Sequence, residues 1–377
     1  MGEVEAQKRN SEWQIKRGQV RPIPSLDGLR AASVALVILA HHTTNLPSLA
    51  ALDWVGYSGV DVFFVISGFL ITYLLLKENE AAGAISLKNF YFRRFFRIFP
   101  PFYVYLAVIG ILWATGVFPQ TARNFISAAT YTWNYQHHSG DSWLLGHTWS
   151  LSIEEQFYLL WPPCLVLLGR KRSTYLAIGV ILFSPATRGL TYFMAPSLRG
   201  AEGMMLHTRL DILMFGCAMA LLWKDAHFNA FADRLLHPGL FAFSVFYIVV
   251  LAPLLSSRFQ ARYDWTVGYT IRGFLISIVL LYVVRKPASL PGRFLNLGPI
   301  AHVGVVSYSL YLWQQMFSGP NAFLFPLDAL AALACAELSF WLIERPSLRL
   351  RDSLAGRLRI AAAKSTINSG ASAAVER

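Results

Sequence analysis

The sequence predicts an all-α integral membrane protein, a bundle of about ten transmembrane helices with both termini cytoplasmic. Three observations predict it. Hydrophobic residues make up 55% of the 377 and charged residues only 14%, against roughly 25% charged in soluble domains, and mean hydropathy is +0.44. Apolar runs of about 20 residues, enough to cross the hydrocarbon core, recur along most of the chain. The basic residues sit in short clusters between those runs, where the positive-inside rule places them.

Residues 1–24 are polar and basic and contain no apolar run, so they read as a cytoplasmic tail and not as a cleavable signal peptide. The membrane domain is expected over 25–346, with helices near 26–46, 59–76, 100–118, 145–168, 174–194, 205–223, 238–255, 265–284, 295–317 and 326–345. A polar cytoplasmic tail, 347–377, completes the chain. With the N-terminus inside and each helix crossing once, the inner clusters are Lys8–Arg21, Lys77–Arg97, Arg170–Arg172, Lys224–Arg234, Arg285–Arg293 and Arg345–Arg377. Together with Arg30 they hold 26 of the 33 Lys and Arg. Arg123, Arg188, Arg199, Arg209, Arg258 and Arg262 fall outside, and Arg272 within a span. Only one outer loop, about Pro119 to Gly146, is long. Chemistry is therefore expected inside the bundle or at its mouths.

The net charge of +12 does not point to nucleic acid, because the cations flank apolar runs and form no binding face. Cys164, Cys217 and Cys335 lie far apart in apolar runs and suggest neither a disulfide framework nor a metal site. There is no Walker A loop, GxGxxG, HExxH or GxSxG, which disfavours ATP-driven pumps, dinucleotide enzymes, zinc proteases and the usual serine hydrolases.

Charged groups within a span cost roughly 2.5–3.5 kcal/mol each on insertion scales and mark function by default. Asp27, Arg30, His41, Asp61, Glu154, Glu155, Arg209, Asp211, Arg272, Glu337 and Glu344 are such groups. One alone reads equally well as a packing pair or a snorkelling end. So many together point to a working interior. In the first helix Arg30 and His41 are eleven residues apart, three turns plus about 20°, so they share a face about 16 Å apart along the axis. A cation near the inner entrance and an imidazole near mid-bilayer result. His42 is turned about 120° from Arg30. The competing reading is that the His41–His42 pair ends an interfacial helix.

In YFRRFFRIFPP, Arg93, Arg94 and Arg97 precede Pro100–Pro101, which suit the opening of the third helix. The three guanidiniums suit phosphates, and equally suit inner-face anchoring. The fourth helix opens with HTWSLSIEEQFYLLW, in which Glu154 is expected to face the bundle and Glu155 another side. Pro162–Pro163 should kink or interrupt that helix, which is tolerated inside protein. Arg209 and Asp211 are too close to face each other on one helix, so each should pair with another span. Glu337 and Glu344, seven apart, should share a face of the last helix.

At these residues the chain resembles acyltransferase family 3, the bacterial membrane O-acyltransferases of surface polysaccharides and other hydroxylated acceptors. The matching stretches are SLDGLRAASVALVILAHH (25–42), GVDVFFVISGFLIT (59–72), FYFRRFFRIFPPFY (90–103), HTWSLSIEEQFYLLWP (147–162), RLDILMFGCAMA (209–220), SYSLYLW (307–313) and IERPSLRLR (343–351). The resemblance implies a ten-helix bundle in the bacterial cytoplasmic (inner) membrane. It implies Arg30 and His41 as the critical pair, and an acyl-CoA donor, acetyl-CoA in the simplest case, with Arg93, Arg94 and Arg97 near its phosphates. After SYSLYLW many relatives have histidine where this chain has Gln314; hydrogen bonding survives that change, and proton transfer or metal binding does not. Some relatives continue into an extracytoplasmic hydrolase-like domain, whereas only about 30 polar residues are expected past the last helix here.

The expected reaction is transfer of an acyl group from acyl-CoA to a hydroxyl of a glycan or other envelope or small-molecule acceptor. His41 is the expected general base, Arg30 the donor or oxyanion anchor, and Glu154 an orienting or acceptor-binding carboxylate. Asp61, Arg209, Asp211 and Tyr308 are expected to bind substrate, and no metal is expected. A covalent acyl-enzyme is an open variant of this route. The main rival reading is a transporter or flippase of a lipid-linked glycan, since intramembrane charges line such pathways too.

Overall fold

The computed structural model describes residues 23–43, 53–136, 143–198, 202–259, 261–319 and 325–357. Most of the N-terminal tail and residues 358–377 of the C-terminal tail lie outside these. Among the described residues the regular structure is entirely helical. The helices that position the interior are α1 (Leu26–Thr43), α2 (Asp53–Ala82), α3 (Leu87–Ala114), the short α4 (Ala122–Ala129) and α5 (Thr148–Met194). They continue with α6 (Leu206–Leu222), α7 (Ala226–Leu235), α8 (Pro238–Phe259) and α9 (Asp264–Arg285). Three short pieces come next, α10 (Leu290–Leu295), α11 (Gly298–Val305) and α12 (Ser307–Trp313). The last helix, α13 (Leu327–Ser339), runs through a π-turn at Phe340–Glu344 and stays helical to 357.

Five helical runs are long and apolar enough to cross a bilayer: Trp54–Ala82, Leu87–Ala114, Trp143–Met194, Pro238–Phe259 and Asp264–Arg285. The protein is an integral membrane protein. The other expected spans are shorter or broken. The expected span 295–317 is divided among α10, α11 and α12. The expected pair 145–168 and 174–194 forms one helical run interrupted at Gly169, whose φ of 69° is left-handed and suits glycine. That break falls in the gap expected between 168 and 174, while Pro162–Pro163 keep helical backbone angles and do not interrupt the helix.

The third helix also differs from expectation. It begins at Leu87, where Ser86 caps it by accepting the Asn89 N–H, so Pro100–Pro101 lie in its interior. Interior proline strips a donor from the carbonyl four residues back. Here the Phe96 carbonyl accepts the Ser347 hydroxyl at 2.8 Å instead. In α5, Pro163 frees the Leu159 carbonyl, which accepts the Tyr91 hydroxyl at 3.0 Å. Side chains from neighbouring helices thus satisfy the backbone, which is what lets proline sit inside a membrane helix.

The core sits where α2 packs along α6 and α1, with α5 on the other flank of α6. Two glycines let α2 and α6 approach closely. A Cβ on Gly68 would stand 2.0 Å from the Leu213 carbonyl oxygen, and one on Gly216 would stand 2.1 Å from that of Val65. Small residues let membrane helices meet backbone to backbone. Gly68→Ala and Gly216→Ala should each lower thermal stability in detergent by about 1–3 kcal/mol through overpacking. Gly179→Ala, which meets nothing within 4 Å, should leave the unfolding temperature unchanged. Equal melting of all three variants would refute the close-approach account.

The π-turn corrects the expectation for the last helix. Its wider turn changes the angle between residues on either side of it, so Glu337 and Glu344 do not share a face. Glu337 is partly exposed and meets His302 at 2.6 Å, whereas Glu344 is fully buried.

A candidate active site along the first helix

Both marked residues of α1 turn toward protein. His41 Nδ1 lies 2.9 Å from Gln314 Oε1, and the Trp143 ring meets the imidazole edge-on at 5.3 Å. His42 points elsewhere: its Nδ1 is 2.7 Å from the Ile38 carbonyl and its Nε2 is 3.1 Å from buried Asp328.

The hydrogen bonds around His41 fix which nitrogen carries a proton in the neutral ring. The Trp143 carbonyl can only accept, so the Gln315 amide nitrogen donates to it at 2.9 Å. Gln315 Oε1 must then be the acceptor in its 2.9 Å contact with the Gln314 amide nitrogen. That orients Gln314 Oε1 toward His41 Nδ1, which donates, and toward the Ser318 hydroxyl, which also donates, at 3.2 Å. Neutral imidazole carries one N–H and one lone pair, so Nε2 is left as the basic nitrogen. The indole N–H of Trp143 closes the circuit on the Gln315 carbonyl at 2.9 Å.

A second cluster lies around Arg30. Its electrostatic neighbours are Arg97, Asp27, Glu344 and Glu154. Arg97 pairs with Glu344 at 3.4 Å, and Ser309 donates to the other oxygen of Glu344 at 3.1 Å. Arg94 lies over the Tyr158 ring at 5.0 Å with Glu154 and Glu155 among its charged neighbours. Glu154 accepts the Ser67 hydroxyl at 2.7 Å, and Tyr158 donates to Ser67 at 3.2 Å. Neither Arg30 nor Arg94 makes a hydrogen bond to any described residue. Two guanidiniums with open donor sets beside a helix face suit phosphate or another anionic group.

The expected site residues do not all meet. Arg94, Arg97, Glu154 and Arg30 come together. Arg93 turns outward to pair with Glu78 at 2.7 Å, as successive residues on a helix diverge by about 100°. Tyr308 donates to the Ile98 carbonyl at 3.0 Å, tying α12 to α3. Glu154 bonds Ser67 while Gln314 takes His41, so orientation of the imidazole comes from Gln314.

Asp61, Arg209 and Asp211 join a separate buried network. Asp61 bridges Arg209 and Arg272, the latter at 2.8 Å, and Arg272 also meets Asp264 at 2.6 Å. Asp211 meets Arg188 at 2.9 Å and accepts from Thr270 at 2.6 Å. Arg209 and Asp211 do pair with other spans. Arg188 and Arg209, placed outside by the charge count, are both fully buried. Sequence reasoning did not single out Gln315, Trp143 and Ser67; the polar Gln314–Gln315 step directly after the apolar SYSLYLW was the available signal.

A family model described as an acyltransferase domain matches residues 23–343. The chain is 29% identical to peptidoglycan O-acetyltransferase OatA of Listeria monocytogenes, across 86% of this chain and 55% of that protein. It is 31% identical to a putative O-acetyltransferase of Staphylococcus aureus, across 88% of this chain and 58% of that protein. A putative peptidoglycan O-acetyltransferase of Bacillus subtilis, YrhL, is 30% identical across 86% of this chain and 55% of its own length. The chain thus spans a little over half the length of these curated relatives. No solved structure matches it. Both the motifs and the extent of the match lead to one assignment: the chain belongs to acyltransferase family 3.

Proposed function

We propose that the protein is a membrane O-acyltransferase that moves an acyl group, acetyl in the simplest case, from acyl-CoA to a hydroxyl of an envelope glycan. The relatives' names make peptidoglycan the first acceptor to test. The observation that carries the proposal is the arrangement on α1. A tautomer-fixed imidazole and an Arg30 with open donors lie three turns apart, and both turn into the bundle.

In the proposed reaction, Arg94 and Arg30 hold anionic groups of the donor, and Arg97 remains tied to Glu344. His41 Nε2 takes the proton of the acceptor hydroxyl as its oxygen attacks the thioester carbonyl. The new C–O ester bond forms, the C–S bond breaks, and the thiolate leaves. The proton on His41 then returns to that thiolate, giving free coenzyme A and a neutral imidazole. A thiolate is a good leaving group, so no strong acid is required at that step. The proposed setting is ten membrane passages with both ends cytoplasmic in the bacterial inner membrane. Its support is that this topology would put 26 of the 33 Lys and Arg on the inner side, as the positive-inside rule expects.

The test is direct. Membranes carrying the protein, given radiolabelled acetyl-CoA, should consume it and leave label on glycan as an ester that mild alkali releases. Membranes that move glycan while leaving acetyl-CoA intact would instead support a flippase. A second measurement probes the tautomer lock. Gln314→Leu should lower kcat roughly tenfold to a hundredfold, the size seen when the partner orienting a metal-ligating histidine is lost, with donor affinity held. Unchanged kcat would remove Gln314 from the mechanism.

A further inference from the structure

His147 heads the HTWSLSIEEQFYLLW stretch, yet the reaction above gives it no task. Its side chain is 3% exposed, and neither ring nitrogen has a hydrogen-bond partner among the described residues. Each buried polar atom left unpaired costs about 1–3 kcal/mol, and such a group calls for an explanation such as a bound molecule. The ring is held firmly. Tyr105 and Tyr311 flank it edge-on at 5.4 and 5.5 Å. Tyr105 donates to the Leu144 carbonyl at 2.6 Å. The Tyr311 and Ser150 hydroxyls lie 3.2 and 3.1 Å from the carbonyl of His147 itself. The two tyrosines therefore fix the imidazole without satisfying it. Trp143, whose ring meets His41 at 5.3 Å, stands four residues before His147, and Tyr311, which flanks His147 at 5.5 Å, stands three residues before Gln314, the partner of His41, so the unpaired ring belongs to the same end of the interior as the proposed base.

We propose that His147 is the binding residue for the hydroxylated acceptor, holding a sugar through its ring nitrogens beside His41. This rests on the O-acyltransferase reading and names the substrate for this end of the site. A neutral imidazole needs one partner that accepts and one that donates. The reacting carbonyl and sulfur of an acyl thioester only accept, whereas the first pantetheine amide, two carbons from the sulfur, also donates, so separate titrations with oligosaccharide and with acetyl-CoA tell the two occupants apart. A sugar carries adjacent hydroxyl and acetamido groups that do both. His147 thus positions the attacking alcohol, and His41 Nε2 removes its proton.

The experiment uses the full chain in lipid nanodiscs and N-acetylglucosamine–N-acetylmuramic acid oligosaccharides as the probe. His147→Phe keeps an aromatic ring between Tyr105 and Tyr311 and removes both nitrogens; His147→Gln and His147→Asn each restore one donor and one acceptor. Calorimetric binding of the oligosaccharide without donor should weaken at least about tenfold in His147→Phe and recover in part in one of the amide variants. Acetyl-CoA affinity and unfolding temperature should stay at the wild-type values. In turnover, the KM for oligosaccharide should rise in parallel. Oligosaccharide binding by His147→Phe equal to wild type overturns the proposal and leaves the ring as packing against a buried water. Wild-type binding of the oligosaccharide with no acetyl-CoA consumed would instead reject the O-acyltransferase reading alone, because the binding comparison needs no turnover.

Discussion

Protein carrying His41→Ala should bind coenzyme A as wild type does yet transfer acyl groups about 10²–10⁴-fold more slowly, the range typical of a positioned general base. The effect should fall on kcat, because His41 is held by Gln314 and Trp143 and lies about three turns from the open guanidinium of Arg30. Arg94→Ala should show the opposite pattern, a raised KM for acyl-CoA with the smaller change in kcat. His42→Ala is the internal control. That ring pairs with Asp328 and with the Ile38 carbonyl, so its loss should lower stability while turnover per folded molecule is kept. Rapid kinetics on the purified variants separates the cases. Full acyl transfer by His41→Ala would end the base assignment.

The division between His41 and His42 was legible in the sequence because it depends only on helical phase. Eleven residues return nearly to the same face of an α-helix, and α1 is regular from Leu26 to Thr43. The same logic failed for Glu337 and Glu344, since a π-turn at Phe340–Glu344 changes the angle per residue and local sequence carries no clear mark of it. It also failed at Pro100–Pro101. Proline reads as a helix start, and the hydroxyl that satisfies the freed Phe96 carbonyl belongs to Ser347, 251 positions away. Clustering of Arg30, Arg94, Arg97 and Glu154 could be anticipated only from the resemblance, because separate stretches of chain must converge to build it. The tautomer lock needed Gln314, Gln315 and Trp143 together, and two of these lie about 170 residues from the third. The charge count did not show which arginines are interior. Arg188 and Arg209 fall in the outer ends of expected spans and count as outer-side cations, and their carboxylate partners on other helices hold them inside.

Asp61→Ala should destabilise the protein more than any substitution in the candidate site, by about 3–5 kcal/mol, the cost of breaking a buried ion pair from one side. Asp61 bridges two arginines whose side chains, like its own, are at most 3% exposed. Without it, Arg209 and Arg272, 3.9 and 4.7 Å from the centre of the Tyr269 ring, keep only Asp264, paired with Arg272, as a carboxylate partner among the described residues. Asp61→Ala combined with Arg209→Met should recover part of the loss, since Arg272 and Asp264 then remain as a neutral pair. Contacting residues are expected to depart from additivity in this way. Thermal unfolding in detergent measures it. The same variants decide whether Asp61 and Arg209 bind substrate, as their position inside the membrane first suggested. A network that serves folding alone leaves KM for donor and acceptor unchanged in whatever fraction stays folded. A rise in either KM in the double variant, with stability restored, would return these residues to the site.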